Sequence, residues 1–241
     1  MILKFCHENG YFWDSDTTYL AALNGHLNCF EYAHQKGCEL DPIKCTSGAA
    51  LNGHLHILQY AFNYGLEWNE TTCSNAAYNG HLDCIEFAYE NGCSFDESIF
   101  SFAALNGHLH CLKYAYEKSI ITGEDTCCNA SLNGNLDCLK FAHEKGDFWD
   151  EKTTYCAAFN GHLDCLKYAY ENGCPWDKYI YTFAVSNGHL NCIEYLHENG
   201  CPWHEDICSI AVSHNQWECL KYCVDNGCLE YNLSIDLYEI K

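Results

Sequence analysis

The chain has 241 residues, 48% of them apolar, with 18 Tyr, 12 Phe and 6 Trp, which is ample for a packed core and too hydrophobic for a disordered chain. A formal charge of −21, carried with 12 Lys and no Arg, leaves no guanidinium fork for phosphate and speaks against nucleic acid as a partner. No window approaches the ~18 apolar residues of a membrane span, and residues 1–10 lack the apolar core of a signal peptide, so a soluble, intracellular, cytoplasmic protein is expected.

Residues 2–10 end in Asn9-Gly10 and read as one short helix. They match only the second half of the unit that follows, which makes residues 1–10 a half-unit cap. From residue 11 onward a unit repeats. Asn-Gly-His occurs at Asn24, Asn52, Asn79, Asn106, Asn160 and Asn187, and the variant Asn133-Gly134-Asn135 fills the gap; the spacing is 28 once and 27 thereafter. Such a register predicts a stack of supersecondary units rather than a single globular core. Seven recognisable repeats span 11–200 and a degenerate eighth, with His214-Asn215-Gln216, spans 201–228. Residues 229–241 are expected to form a capping helix, and the whole of 1–241 reads as a single repeat domain. The least regular junction is 118–124, where Ser119 replaces the helix-ending Gly.

The unit is clearest at 148–176. Asp150 is a good N-cap for a first helix running to about Phe159. Asn160-Gly161 supplies the left-handed residue that ends it, and a second helix begins at His162 or Leu163 and is closed by Gly173. Each helix has two to three turns and would not stand alone in water. The Ala pairs at the ends of first helices (Ala21-Ala22, Ala49-Ala50, Ala76-Ala77, Ala103-Ala104, Ala157-Ala158) let neighbouring backbones approach. The turns after the second helices are expected to be short and packed by Trp13, Trp68, Trp149, Trp176 and Trp203.

Most of the 20 Cys recur at the repeat length, hence at equivalent places in successive helices. Packed helices about 8–10 Å apart exceed the ~7 Å Cα limit of a disulfide, so these thiols are expected to be reduced, small core residues. His-x-x-Cys pairs such as His162/Cys165 have the spacing of two zinc ligands, but every copy offers the same two groups, and Ile57 and Asn135 interrupt the series. No metal site and no cofactor are expected. Of the adjacent pair Cys127-Cys128, one member falls in a core column; a reactive thiol there would lack a neighbouring cation in sequence. Phosphate loops, zinc-protease and nucleophile-elbow motifs are absent. The carboxylates Glu90, Glu117, Glu144, Glu171 and Glu198 form a solvated column, and no enzyme is expected.

Ala-Ala-x-Asn-Gly-His-Leu-x-x-Leu followed by Gly resembles the centre of the ankyrin repeat. Two departures stand out: the Thr-Pro-Leu-His opening is missing, and the unit has 27 residues instead of about 33. The resemblance implies an all-α solenoid of stacked antiparallel helix pairs, with the β-hairpins shortened or absent. Such compact Cys- and Tyr-rich units are similar to ankyrin-like proteins of giant DNA viruses and some protists, which would place the chain in a host cytoplasm.

The resemblance also implies a non-enzymatic scaffold that binds a protein partner, as a monomer, through a groove lined by the first helices. The residue before each Asn-Gly would face that groove. Here it is Leu23, Leu51, Tyr78, Leu105, Leu132 and Phe159, then Ser186 and Ser213; Tyr19 and Tyr155 lie four residues before Leu23 and Phe159. These apolar residues form either a binding strip or, if the shorter unit rotates them inward, part of the core. Two other functions share the same architecture: a metal- or redox-responsive thiol protein and a self-assembling structural protein.

Overall fold

A computed structural model of the protein describes residues 2–119 and 123–228. The expected capping helix at 229–241 lies outside the described residues. All secondary structure among them is helical. The chain divides into two compact units, Met1–Glu124 and Asp125–Lys241, and the division falls at the irregular junction.

The first unit opens with α1 (Ile2–Glu8) and continues in four pairs. These are α2 (Ser15–Leu23) with α3 (Leu27–Gln35), α4 (Pro42–Leu51) with α5 (Leu55–Asn63), α6 (Glu70–Tyr78) with α7 (Leu82–Glu90), and α8 (Ser98–Leu105) with α9 (Leu109–Lys118). Among the described residues the second unit holds four more. They are α10 (Thr126–Leu132) with α11 (Leu136–Glu144), α12 (Glu151–Phe159) with α13 (Leu163–Glu171), α14 (Ile180–Ser186) with α15 (Leu190–Glu198), and α16 (Ile207–Ser213) with α17 (Trp217–Asp225). Each unit is by itself a short α-solenoid.

Local chemistry sets the helix ends. Asp14 caps α2 by accepting from the amides of Asp16 and Thr17, and Thr17 Oγ1 accepts the Asp14 amide in return. Asp41, Asn69 and Asp150 cap α4, α6 and α12 through one bond each, accepting from the amides of Lys44, Thr71 and Lys152. Each Asn-Gly turn places its Gly at positive φ, as at Gly161 (φ 74°).

Two layers of contact then stack the pairs. First helices meet through the Ala pairs, which are buried in every repeat that carries one. With side chains this small, successive first helices pack more closely than successive second helices. The second helices supply the larger core residues: Phe30, Leu58, Ile85, Leu112, Leu139, Leu166, Ile193 and Leu220 are 0–1% exposed, in one column. Most cysteines are buried and no disulfide links the cysteines among the described residues. Some have a specific polar contact. The thiols of Cys38, Cys93 and Cys174, each just after a Gly, donate to the carbonyls of the capping residues Asp14, Asn69 and Asp150, 24 residues earlier.

The turn aromatics build a ladder across the second-helix layer. Trp13 stacks on His7 at 3.9 Å, Trp149 on His143 at 3.8 Å and Trp176 on Tyr170 at 3.6 Å between ring centroids. Nδ1 of His7, His34, His143 and His197 lies 2.9–3.1 Å from the hydroxyl of the next repeat's Tyr32, Tyr60, Tyr168 and Tyr222. The stacked pairs at His7, His143 and His197 thus each carry one polar bond into the next repeat.

Candidate binding face on the first helices

The Asn-Gly-His turn is where the first-helix surface is fixed. The His of this turn does not cap the helix that follows it: no side-chain cap comes from His26, His54, His81 or His162. Where its partner is seen, the ring reaches back to the preceding repeat. His54 Nε2–H donates to the Leu23 carbonyl at 3.1 Å, and His189 Nε2–H to that of Phe159 at 2.9 Å. The Asn side chain makes a parallel bond, from Asn52 to Leu23 O (2.8 Å), Asn79 to Leu51 O (2.7 Å) and Asn160 to Leu132 O (2.6 Å). The imidazole passes over the preceding turn's glycine so closely that a Cβ on Gly25 would lie 2.6 Å from His54, and one on Gly161 2.5 Å from His189. Burial under that glycine holds the pKa of His54 and of His108 below the usual imidazole value.

The carbonyl clamped in this way belongs to the residue of the apolar column. Its backbone is held while its side chain stays at the surface. Leu23, Leu51, Leu105 and Leu132 are half-buried, Tyr78 is 41% exposed and Phe159 44%. None of the six is in the core. The shorter unit thus leaves this column outside the fully buried core.

Within the first unit, Tyr19 lies half-buried over Gly48, with the Lys44 ammonium 4.4 Å from its ring centre, and Lys44 pairs with Asp16 at 3.0 Å. Tyr78 meets Phe102 edge-on at 5.5 Å. Within the second unit, Tyr155 stacks on Phe183 at 4.8 Å and donates its hydroxyl to Asp177 Oδ1 at 2.6 Å; burial and the Asp177 charge push its pKa up. Leu132, Tyr155, Phe159 and Phe183, with Cys128 and Cys156, line an open apolar recess of about 280 Å³. Phe102 and Phe183 belong to this surface but lie outside the column read from sequence. They lie three residues before Leu105 and Ser186, directly after the position occupied by Tyr19 and Tyr155, and the apolar Leu20 and Ile210 at the same place were the available signal.

The remaining groups singled out in the sequence take other places. The His-x-x-Cys pairs do not converge: His162 lies against Gly134, while Cys165 is buried with its pKa pushed up to about 12 by desolvation. No group of three or more possible metal ligands is present among the described residues. Glu90, Glu117, Glu144, Glu171 and Glu198 are exposed. No helix among the described residues is long and apolar enough to cross a membrane.

Comparison with known proteins returns the same architecture. A family model described as ankyrin repeats in three copies matches residues 127–206 and 154–234, and one described as ankyrin repeats in many copies matches residues 73–115. Together they cover more than half of the chain. Among solved structures the chain is similar to the crystal structure of the human ASB11 ankyrin repeat domain, at 18% identity and a TM-score of 0.55, over 66% of this chain and 84% of that one. No curated protein sequence matches the chain.

Proposed function

The chain belongs to the ankyrin repeat family, and we propose that it is a non-enzymatic scaffold that binds a protein partner through its first-helix face. Ankyrin repeats in general mediate protein–protein interaction. The observation that carries the finer reading is the apolar column: Tyr78 and Phe159 are 41% and 44% exposed although their backbones are held in the last turns of α6 and α12. Repeated apolar side chains on a fixed backbone lose little conformational entropy on binding, which favours anchor roles. Tyr19, Leu23, Leu51, Tyr78 and Leu105 would serve in the first unit, and Leu132, Tyr155 and Phe159 in the second. The charge of −21 favours a partner with basic residues around an apolar centre and disfavours nucleic acid. A single chain is expected to act alone, and its thiols suit a reducing, intracellular compartment.

The test compares wild type with Leu51→Asp/Tyr78→Asp/Leu105→Asp as bait in host-cell lysate, with circular dichroism as the control for folding. The expected result is a folded variant that loses a partner the wild type retains. A folded variant that keeps every partner would move the binding surface elsewhere, and an unfolded one would assign the column to stability.

A further inference from the structure

Along the first-helix face, one register position makes the same contact between several successive pairs of repeats. A residue on one first helix meets the residue 28 or 29 positions later on the next. Tyr19 covers Gly48, the Asn75 side chain donates to the Ser47 carbonyl, and Tyr155 stacks on Phe183. Between α10 and α12 this position holds two thiols. Cys128 Sγ and Cys156 Sγ are 2.6 Å apart, closer than non-bonded sulfurs ordinarily sit, and a disulfide needs only about 2.05 Å. Helices at ordinary spacing would hold these sulfurs apart; Ala130, Ala157 and Ala158 are fully buried and let α10 and α12 approach.

Accessibility separates this pair from most other thiols: Cys73 and Cys93, which also share a hydrogen bond, are buried, and outside the pair only Cys6 and Cys29 among the described residues are partly accessible. Cys128 and Cys156 are partly accessible and open onto the recess beside Leu132 and Phe159. Cys127, next in sequence, is fully buried and its pKa is pushed up to about 12 by desolvation.

We propose that Cys128 and Cys156 are a two-thiol oxidation site that closes to a reversible disulfide on reaction with a small-molecule disulfide. The Cys156 thiolate attacks one sulfur of the oxidant, forming a mixed disulfide and expelling one thiolate, which takes up a proton. Cys128 then gives up its proton and attacks Cys156 Sγ, forming the Cys128–Cys156 bond and releasing the second thiol. Two protein thiols are oxidised and one external disulfide is reduced to two thiols.

The order of attack follows from the local electrostatics. The hydrogen bond from Cys128 lowers the Cys156 pKa, with smaller help from Lys152 and opposition from burial, Asp125 and Asp150; the same bond raises that of Cys128. The resulting bridge would pin α10 to α12 along the wall of the recess. Its effect on a partner rests on the binding-face reading, whereas the thiol chemistry does not.

The test uses the full chain equilibrated with oxidised glutathione, then alkylated and mapped by mass spectrometry. The expected result is loss of two alkylatable thiols per chain, a Cys128–Cys156 cross-linked peptide, and full recovery with dithiothreitol. In Cys128→Ser the reaction should stop at a stable glutathione adduct on Cys156. Full alkylation of both residues while the fold is intact, a two-thiol loss mapping elsewhere, or no adduct on Cys156 in the Ser variant would each overturn the assignment. Because this readout needs no partner, its failure is distinguishable from failure of the binding-face reading.

Discussion

The two helix layers of each repeat are built under different rules. In the second-helix layer the same residues return: a large aliphatic or aromatic residue at the column of Leu166, a Cys or Ile before it, and a stacked ring on the turn that follows. In the first-helix layer only the buried half is uniform. Its surface half changes chemistry from repeat to repeat, from Tyr over Gly to Asn on Ser, Cys on Cys and Tyr on Phe. Uniformity along the chain marks what every repeat needs in order to stack. Variation at one fixed contact marks the surface on which repeats can differ without unstacking.

The largest expected effect sets one layer against the other. Leu166 is fully buried, so Leu166→Ala removes core contacts and leaves a cavity, at about 2–5 kcal/mol. Phe159, 44% exposed, should lose about 1 kcal/mol or less on Phe159→Ala. Urea midpoints of the two variants check the difference. Equal losses would show that the first-helix face is as much core as the second-helix layer.

A subtler contrast separates the two turns of one repeat. Gly161 ends the first helix at φ 74° and Gly173 the second at φ 88°. A left-handed alanine costs about 1–2 kcal/mol at either place. At Gly173 nothing lies within 4 Å of the added methyl, whereas at Gly161 it would sit 2.5 Å from the His189 ring. Gly161→Ala should therefore destabilise by about 1–3 kcal/mol more than Gly173→Ala, in the range of ordinary overpacking. Adding His189→Ala to Gly161→Ala should return part of that excess. Equal losses for the two single variants would mean that the imidazole moves aside freely and does not clamp the turn.

This contrast also shows how much the sequence could tell. Features with local causes were legible: the cap at Asp150, the left-handed glycines, the buried Ala pairs and the amphipathic second helices all depend on neighbours within about four residues. The surface position of the apolar column was an open alternative because 27-residue units have no fixed rotation until they stack. Least legible were contacts one repeat away with a changed register. His54 meets the carbonyl of Leu23, 31 residues back, and Cys128 meets Cys156, 28 residues on, one more than the repeat length. Ordinary helix spacing argues against disulfides, yet between α10 and α12 the Ala interface brings two thiols to face each other. The Trp residues were placed correctly in the short turns, but their His and Tyr partners needed the stack to be seen.

The smallest effect concerns proton uptake at the clamp. His54 and His108 have pKa values lowered first by burial; the neighbouring His26, His56 and His81 oppose a positive charge on His54, and His81 and His110 oppose one on His108. The unfolded chain thus binds these protons more readily than the folded one, and stability must fall as pH falls. The contribution is whole above the ordinary imidazole pKa of about 6.5 and is lost as pH drops through the lower folded values. Between pH 7.5 and 5.5, above the ordinary range of exposed carboxylates, the urea midpoint of the wild type should decline. His54→Gln/His108→Gln should flatten that decline at little loss of stability at pH 7.5, because the degenerate last repeat already uses Gln216, whose side-chain amide donates to the Ser186 carbonyl at 3.3 Å. An undiminished slope in the double variant would place the titrating groups elsewhere and leave the clamp a matter of shape, with glycine opposite a flat polar side chain as its only requirement.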